Sequence, residues 1–308
     1  MKIRNLFPYV LFFCLTPVLA ENKLQVITTT QDLATLAKEV GGDLIEIQSI
    51  AKGYQDPHFV EAKPSYLLKL KKADLFIQVG LELEVAWAPQ LLISARNSKI
   101  LPGNVGFLDA SGGCEILQRP EGRVDRSLGD VHPLGNPHYW LNPGNGRIIA
   151  RNIKRKLSTI DPEHTKTYEE NLARFESTLT AKEKEWDALA SEVKEIKVVT
   201  YHNSWPNFTK RFGIEIVNFI EPKPGIPASS AHVHSLMNQI KAERVPLILV
   251  EPYFDLKLPQ KIAQETGAKL VVFPPSVGAQ ENIKTYFDLF DNNLKLLKNA
   301  KKQEVPIR

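Results

Sequence analysis

With only two cysteines in 308 residues, Cys14 and Cys114, this chain has no framework of internal disulfides. Beyond the N-terminus no apolar run reaches the length of a membrane span. No run of lysine and arginine interleaved with aromatics stands out, which argues against nucleic acid as a partner. The short catalytic signatures HExxH and GxSxG are also missing, so no zinc-protease helix or nucleophile elbow is announced.

What is present starts at the N-terminus. Lys2 and Arg4 precede an apolar stretch from Leu6 to Val18, and Val18-Leu19-Ala20 closes it with compact residues before Glu21. This is the three-part pattern of a secretory signal peptide, with cleavage expected after Ala20. The apolar stretch is too short for a hydrocarbon core of ~30 Å. Cys14 lies inside it behind Phe12 and Phe13, which is the wrong setting for a lipid-modified cysteine, so a soluble mature protein is expected. Removing the first 20 residues leaves 288, enough for one large or two medium domains, and lowers the net charge from +4 to about +2.

Short apolar runs alternate with amphipathic segments in two stretches. Strands are expected at Leu24–Thr28, Leu44–Ser49 and Leu75–Val79, with helices at Asp32–Val40 and Lys63–Lys72. A second set follows at Ile196–Tyr201, Ile214–Ile220, Pro246–Val250 and Leu270–Phe273, with helices at Trp205–Phe212, Ser230–Glu243 and Leu258–Thr266. Such alternation predicts parallel sheets built from right-handed βαβ units. Between the two sets, Asp161-Pro162-Glu163 reads as a helix start with Asp161 as N-cap. Tyr168, Leu172, Phe175, Leu179, Trp186 and Leu189 then recur at helical spacing. At ~1.5 Å per residue this predicts one helix of roughly 45 Å, ending near Val193. The expected organisation is a signal peptide at 1–20, a first lobe at 21–160, a connecting helix at 161–193 and a second lobe at 194–308. Residues Cys114 to Pro137 lack periodicity and read as a surface loop.

Three of the seven histidines occupy comparable places. His58 in Gln55-Asp56-Pro57-His58-Phe59, His138 in Asn136-Pro137-His138-Tyr139-Trp140, and His202 after Val198-Val199-Thr200-Tyr201 each lie past a strand or in a proline-bounded loop. Ligands of open α/β sheets bind outside the carboxyl ends of strands. Three imidazoles meeting there would suit zinc, copper, nickel or iron, whereas any one alone reads first as a hydrogen-bonded structural residue. His164 is expected to be solvated, and His232 and His234, two apart on a helix, face different ways. His132 sits in the loop just before His138, as a loop residue or an aid to metal capture.

Together these segments resemble the zinc- and manganese-binding solute receptors of bacterial ABC importers over essentially the whole mature chain. Asp56-Pro57-His58 with Glu61, Pro64 and Ser65 resembles that family's first ligand motif. Asn136-Pro137-His138-Tyr139-Trp140-Leu141-Asn142-Pro143 resembles the second, with Asn136 where aspartate is usual, and Tyr201-His202-Asn203-Ser204-Trp205 the third. Glu251-Pro252-Tyr253-Phe254 and Glu265-Thr266-Gly267-Ala268-Lys269 agree as well. The resemblance implies two Rossmann-like α/β lobes with parallel sheets, joined by one long helix, with the metal in the cleft. It assigns ligation to His58, His138 and His202, in a monomeric periplasmic protein that delivers its ion to a membrane permease. Histidine at the third position is the zinc-type choice, where manganese members usually carry a carboxylate, and nitrogen donors favour zinc over manganese.

One departure stands out. Where the family usually has an aspartate after the last strand, this chain has Phe273-Pro274-Pro275-Ser276-Val277-Gly278. Glu221, opening the proline-rich loop Glu221 to Pro227, and Glu251, following Pro246–Val250, are the candidates for a fourth ligand, with water as the alternative. A three-histidine site also suits a secreted zinc hydrolase, and the same histidines suit a receptor for a metal chelate.

Overall fold

Residues 23–122 and 132–302 are described by a computed structural model of the protein. The expected signal peptide, its cleavage point and Cys14 lie outside these residues. Strands β1 (Leu24–Thr28), β2 (Ile45–Ser49), β3 (Leu75–Gln78) and β4 (Phe107–Asp109) form a parallel sheet in the order β2-β1-β3-β4. Strands β5 (Lys197–Thr200), β6 (Glu215–Phe219), β7 (Leu247–Val250) and β8 (Lys269–Val272) form a second, in the matching order β6-β5-β7-β8. The two lobes thus repeat one topology without an evident sequence repeat. Every residue of β7 is buried, as expected of a strand with helices over both faces.

Helices α1 (Gln31–Gly41), α2 (Pro64–Lys72) and α3 (Ala88–Ser94) belong to the first sheet, and α6 (Pro206–Phe212), α7 (Ser230–Glu243) and α8 (Lys257–Thr266) to the second. The Thr30 hydroxyl caps α1 by accepting from Leu33 N–H, and Gly213 ends α6 at φ 69°, a left-handed conformation that costs glycine nothing. Between the sheets run α4 (Pro143–Ile160) and α5 (Thr165–Ser191), and α9 (Tyr286–Lys302) returns along α5. One continuous core includes Val26, Leu36, Ile149, Phe175, Trp186, Val198 and Phe290, so both lobes pack onto these helices.

The long helix is real but begins later than its sequence suggests. Pro162–His164 form a separate 3-10 turn, and α5 covers 27 residues, about 40 Å at 1.5 Å each. Asp161 makes no capping bond to the backbone; its carboxylate accepts instead from His164 Nδ1 at 2.7 Å and the Tyr168 hydroxyl at 2.5 Å. That pairing also corrects the expectation for His164, which is half-buried against Asp161 rather than solvated.

Four elements had no sequence assignment: α3, β4, α4 and α9. In α4 the signal was Asn142-Pro143, with the Asn142 side chain accepting from Gly144 N–H at 2.9 Å. Two glycines in the first turns obscured it. Gly146 is required there, because a Cβ would stand 2.4 Å from the Tyr286 hydroxyl of α9.

Candidate metal centre

The carboxyl ends of both sheets face the cleft, and the three histidines arrive from both sides. His58 follows β2, His138 lies in the segment between β4 and α4, and His202 follows β5. Their ring centroids lie 5.3 to 5.6 Å apart pairwise, and one ring nitrogen from each falls within 4.8 Å of the other two. All three residues are buried.

The first two are held by the same local device. Asp56 Oδ1 accepts from both the backbone N–H and the ring Nδ1 of His58, at 2.9 and 2.7 Å. Asn136 Oδ1 does the same for His138, at 3.0 and 3.2 Å. In each Asx-Pro-His turn the proline stiffens the link, and the Asx oxygen fixes backbone and ring together. The Trp87 indole N–H donates to the Pro57 carbonyl at 3.0 Å, and the Tyr139 hydroxyl to the Val79 carbonyl at 2.7 Å, pinning both turns to the first lobe. His202 is held from a distance: its Nδ1 faces Glu221 Oε2 at 2.8 Å, two residues past the end of β6.

A ring whose Nδ1–H donates to such an oxygen is the tautomer with a free Nε2 lone pair. Nε2 of His58, of His138 and of the neighbouring His132 are buried and find no hydrogen-bond partner among the described residues. Buried polar atoms are normally paired, so orphaned lone pairs converging on one point suit a guest that accepts electron pairs. A divalent transition metal fits such a donor set.

The charges around the rings differ. Burial drives the His138 imidazole well below its ordinary value, and the neighbouring His58, His202 and His132 add to this, so it stays neutral. Burial also pushes His202 down, but the Glu221 hydrogen bond and the charges of Glu251, Glu221 and Asp56 outweigh it, and the net direction is up. His132 stacks on His58 at 5.3 Å and is pushed down to about 3 by burial, with help from His58 and His202; its ring also bonds the backbone of Leu81. It lies outside the group of three mutually close nitrogens.

Neither proposed glutamate joins that group. Glu221 is engaged with His202 Nδ1 and with Gly225 N–H at 3.3 Å. Glu251 is fully buried beyond β7, where Oε1 accepts from the Trp205 indole at 2.9 Å and burial pushes its carboxyl up to about 7. In the stretch after β8, the Pro275 carbonyl accepts from the Trp140 indole at 3.1 Å, Val277 N–H donates to Asp32 at 3.0 Å and Ser276 donates to Asp32 as well. That segment fastens the second lobe to the first. A cavity of about 170 Å³ lined by Gln118, His132, Asn136, His138, His202 and Asn203, among others, opens beside the histidines.

The orienting roles of Asp56 and Asn136 were not assigned from sequence, although two Asx-Pro-His triplets are visible there. His232, bonded to the Phe219 carbonyl at 3.0 Å, and exposed His234 stay away from the cleft. Among the described residues no helix is long and apolar enough to cross a membrane.

A family model described as ZnuA, zinc-uptake complex component A, periplasmic, matches residues 26–300. The manganese ABC transporter substrate-binding lipoprotein PsaA of Streptococcus pneumoniae is 28% identical over 283 residues, covering 89% of this chain and 88% of the relative. Among solved structures, a crystal structure of ZnuA superposes with a TM-score of 0.75 at 23% identity, covering 91% of this chain and 99% of that one. A ZnuA deletion mutant solved with zinc bound gives 0.74 at 25% identity, covering 91% and 97%.

Proposed function

The chain belongs to the family of periplasmic zinc-uptake component A proteins, substrate-binding receptors for metal transport by ABC importers rather than enzymes, and from that membership we propose that it captures a single zinc ion on His58, His138 and His202. The observation that carries this reading is the pair of buried, unpartnered Nε2 atoms on His58 and His138, with His202 beside them. The relatives' names include manganese, so the metal is argued from the donors: three imidazoles favour zinc over manganese by the ordinary affinity order. We place the protein in the periplasm, released after Ala20 as a monomer that hands its ion to a membrane permease. Metal analysis of protein purified without chelator, followed by competition with manganese, nickel and copper, tests the cargo. Stoichiometric zinc that manganese does not displace is expected; a preference for manganese would overturn the reading.

In this proposal Glu221 acts through His202, and the fourth coordination position is taken by water from the cavity beside His132. Second-sphere partners of metal-bound histidine typically contribute about 10- to 100-fold in affinity. Glu221→Gln is therefore expected to weaken zinc by that order. Glu251→Gln should cost less than about tenfold, or ~1.4 kcal/mol, because burial already holds that carboxyl partly protonated near neutrality. Isothermal titration of zinc separates the two; a larger loss at Glu251 than at Glu221 would make Glu251 the direct oxygen ligand.

The raised His202 makes binding pH-dependent. Zinc needs the neutral ring, so below the raised value it must displace a proton, and affinity should fall by up to about tenfold per pH unit. The metal-free protein behaves oppositely. A histidine whose folded value is raised contributes stability that is full below its unfolded value and lost as pH rises through the folded one. Zinc titrations across pH 6 to 8 should show the slope flattening in Glu221→Gln, the variant that removes the main upward influence; an unchanged slope would mean that another group is being displaced.

A further inference from the structure

Several bonds tie the lobes together, but one set lies between two of the histidines. Asn136 Nδ2 donates to the carbonyl of Asn203 at 2.8 Å and to Gln118 Oε1 at 3.1 Å. Asn203 Nδ2 donates to the same Gln118 Oε1 at 2.8 Å. Gln118 and Asn136 belong to the segment between β4 and α4, and Asn203 follows His202 in the second lobe. The Asn136 N–H also donates to the carbonyl of Leu117, the residue before Gln118, at 2.9 Å.

The geometry points to Asn136 as a clasp that couples cleft closure to the orientation of His138, setting how fast the metal leaves. This rests on the three-histidine reading above. The amide serves two masters at once: its oxygen holds the His138 ring and backbone, and its nitrogen reaches across to the residue beside His202. Opening the cleft must break the nitrogen's bond to Asn203 O and the Asn203 bond to Gln118, while keeping it shut favours the geometry in which His138 and His202 face the same ion. An aspartate at this position would hold His138 equally well, since a carboxylate accepts from both N–H groups. It has no donor for Asn203 O, and would set a negative oxygen against that carbonyl. Whichever way the Gln118 amide turns, it cannot repair that contact. The Asn at 136 is therefore a choice with a consequence the ring orientation alone does not explain.

Gln118 supports the same conclusion from the backbone. Its φ of 53° lies in the left-handed region, which costs a residue with a side chain and favours glycine. Strain of this kind persists where surrounding contacts over-determine it. Here the strained turn sets one amide oxygen between two donors from opposite lobes.

Asn136 is thus a positioning residue, and two variants separate its roles. Asn136→Asp keeps the His138 acceptor and removes the cross-cleft donor. Gln118→Gly relieves the backbone and removes the shared acceptor. A purely structural role for Gln118 predicts an equal or higher melting temperature and unchanged zinc kinetics in the glycine variant. The clasp predicts that, after mixing the zinc-loaded mature protein with excess chelator in a stopped-flow experiment, both variants release zinc faster, by about tenfold for the loss of one or two neutral hydrogen bonds. Both should still bind one zinc per chain. Wild-type release rates in both, or complete loss of zinc binding in Asn136→Asp, would overturn the clasp. The metal-free proteins supply an independent readout. Deuterium exchange over residues 132–141 and 198–206 should be faster in both variants than in the wild type, and unchanged exchange would refute the clasp even if the wild type bound no zinc and the three-histidine reading had itself failed.

Discussion

Alanine in place of His138 should erase the rise in melting temperature expected of the wild-type protein on adding zinc. Binding to the folded state alone stabilises by mass action, about 4 kcal/mol at a thousandfold excess over Kd. His138 is the most enclosed of the three histidines at 2% exposure, and its burial keeps it neutral. His58 and His202 should behave likewise, because two imidazoles hold an ion far less tightly than three. Calorimetric scans with and without zinc read the effect directly. Three single variants that all kept the wild-type shift would mean the metal sits elsewhere. Metal-free His58→Ala and His138→Ala each also lose a buried nitrogen that has no partner among the described residues, whereas metal-free His202→Ala gives up the ring's bond to Glu221 and should melt lower than the metal-free wild type.

The second large effect concerns the connecting helix, far from any ligand. Trp186 of α5 is completely buried, packs against Phe290 of α9 with ring centroids 4.9 Å apart, and donates its indole N–H to Asp291 at 2.6 Å. Lys182 donates to the other oxygen of the same carboxylate at 2.8 Å. Trp186→Ala should cost about 3–5 kcal/mol from lost burial and the cavity left behind, which in a chain of this size lowers the melting temperature by on the order of 10 °C. Trp186→Phe keeps most of the packing and gives up the hydrogen bond, so its cost should be nearer 1–2 kcal/mol. Both variants should keep one zinc per chain. If Trp186→Ala instead melted like the wild type, α5 would not be the support onto which both lobes pack.

Much of this was readable before any coordinates. The strands β1, β5 and β7, and the helices α2 and α7, are bounded by proline, glycine and polar residues, and their apolar content is local, so composition alone marks them. The three histidines stood out because each follows a strand or a proline turn. Helix α4 was not readable. Its glycines lower helix propensity, and only the approach of Tyr286, 140 positions later, explains why Gly146 must be there. The start of α5 was misplaced for a related reason: Asp161 has the right chemistry for a cap, but two nearby side chains claim its oxygens first.

By itself the sequence determined the α/β alternation, the histidines available to a metal and the missing carboxylate after the last strand, because these depend on residue type and near-neighbour spacing. Only the tertiary structure decided what the carboxylates do. Glu221 and Glu251 both follow strands of the second sheet and looked equivalent along the chain. In space, Glu221 meets the far side of the His202 ring and Glu251 meets the Trp205 indole. The same holds for Asn136, whose partners Gln118 and Asn203 lie 18 and 67 residues away. Hydrogen bonds are short and directional, so which acceptor a donor reaches is settled by how the two lobes pack, to within about an ångström, and no spacing along one strand or turn encodes that.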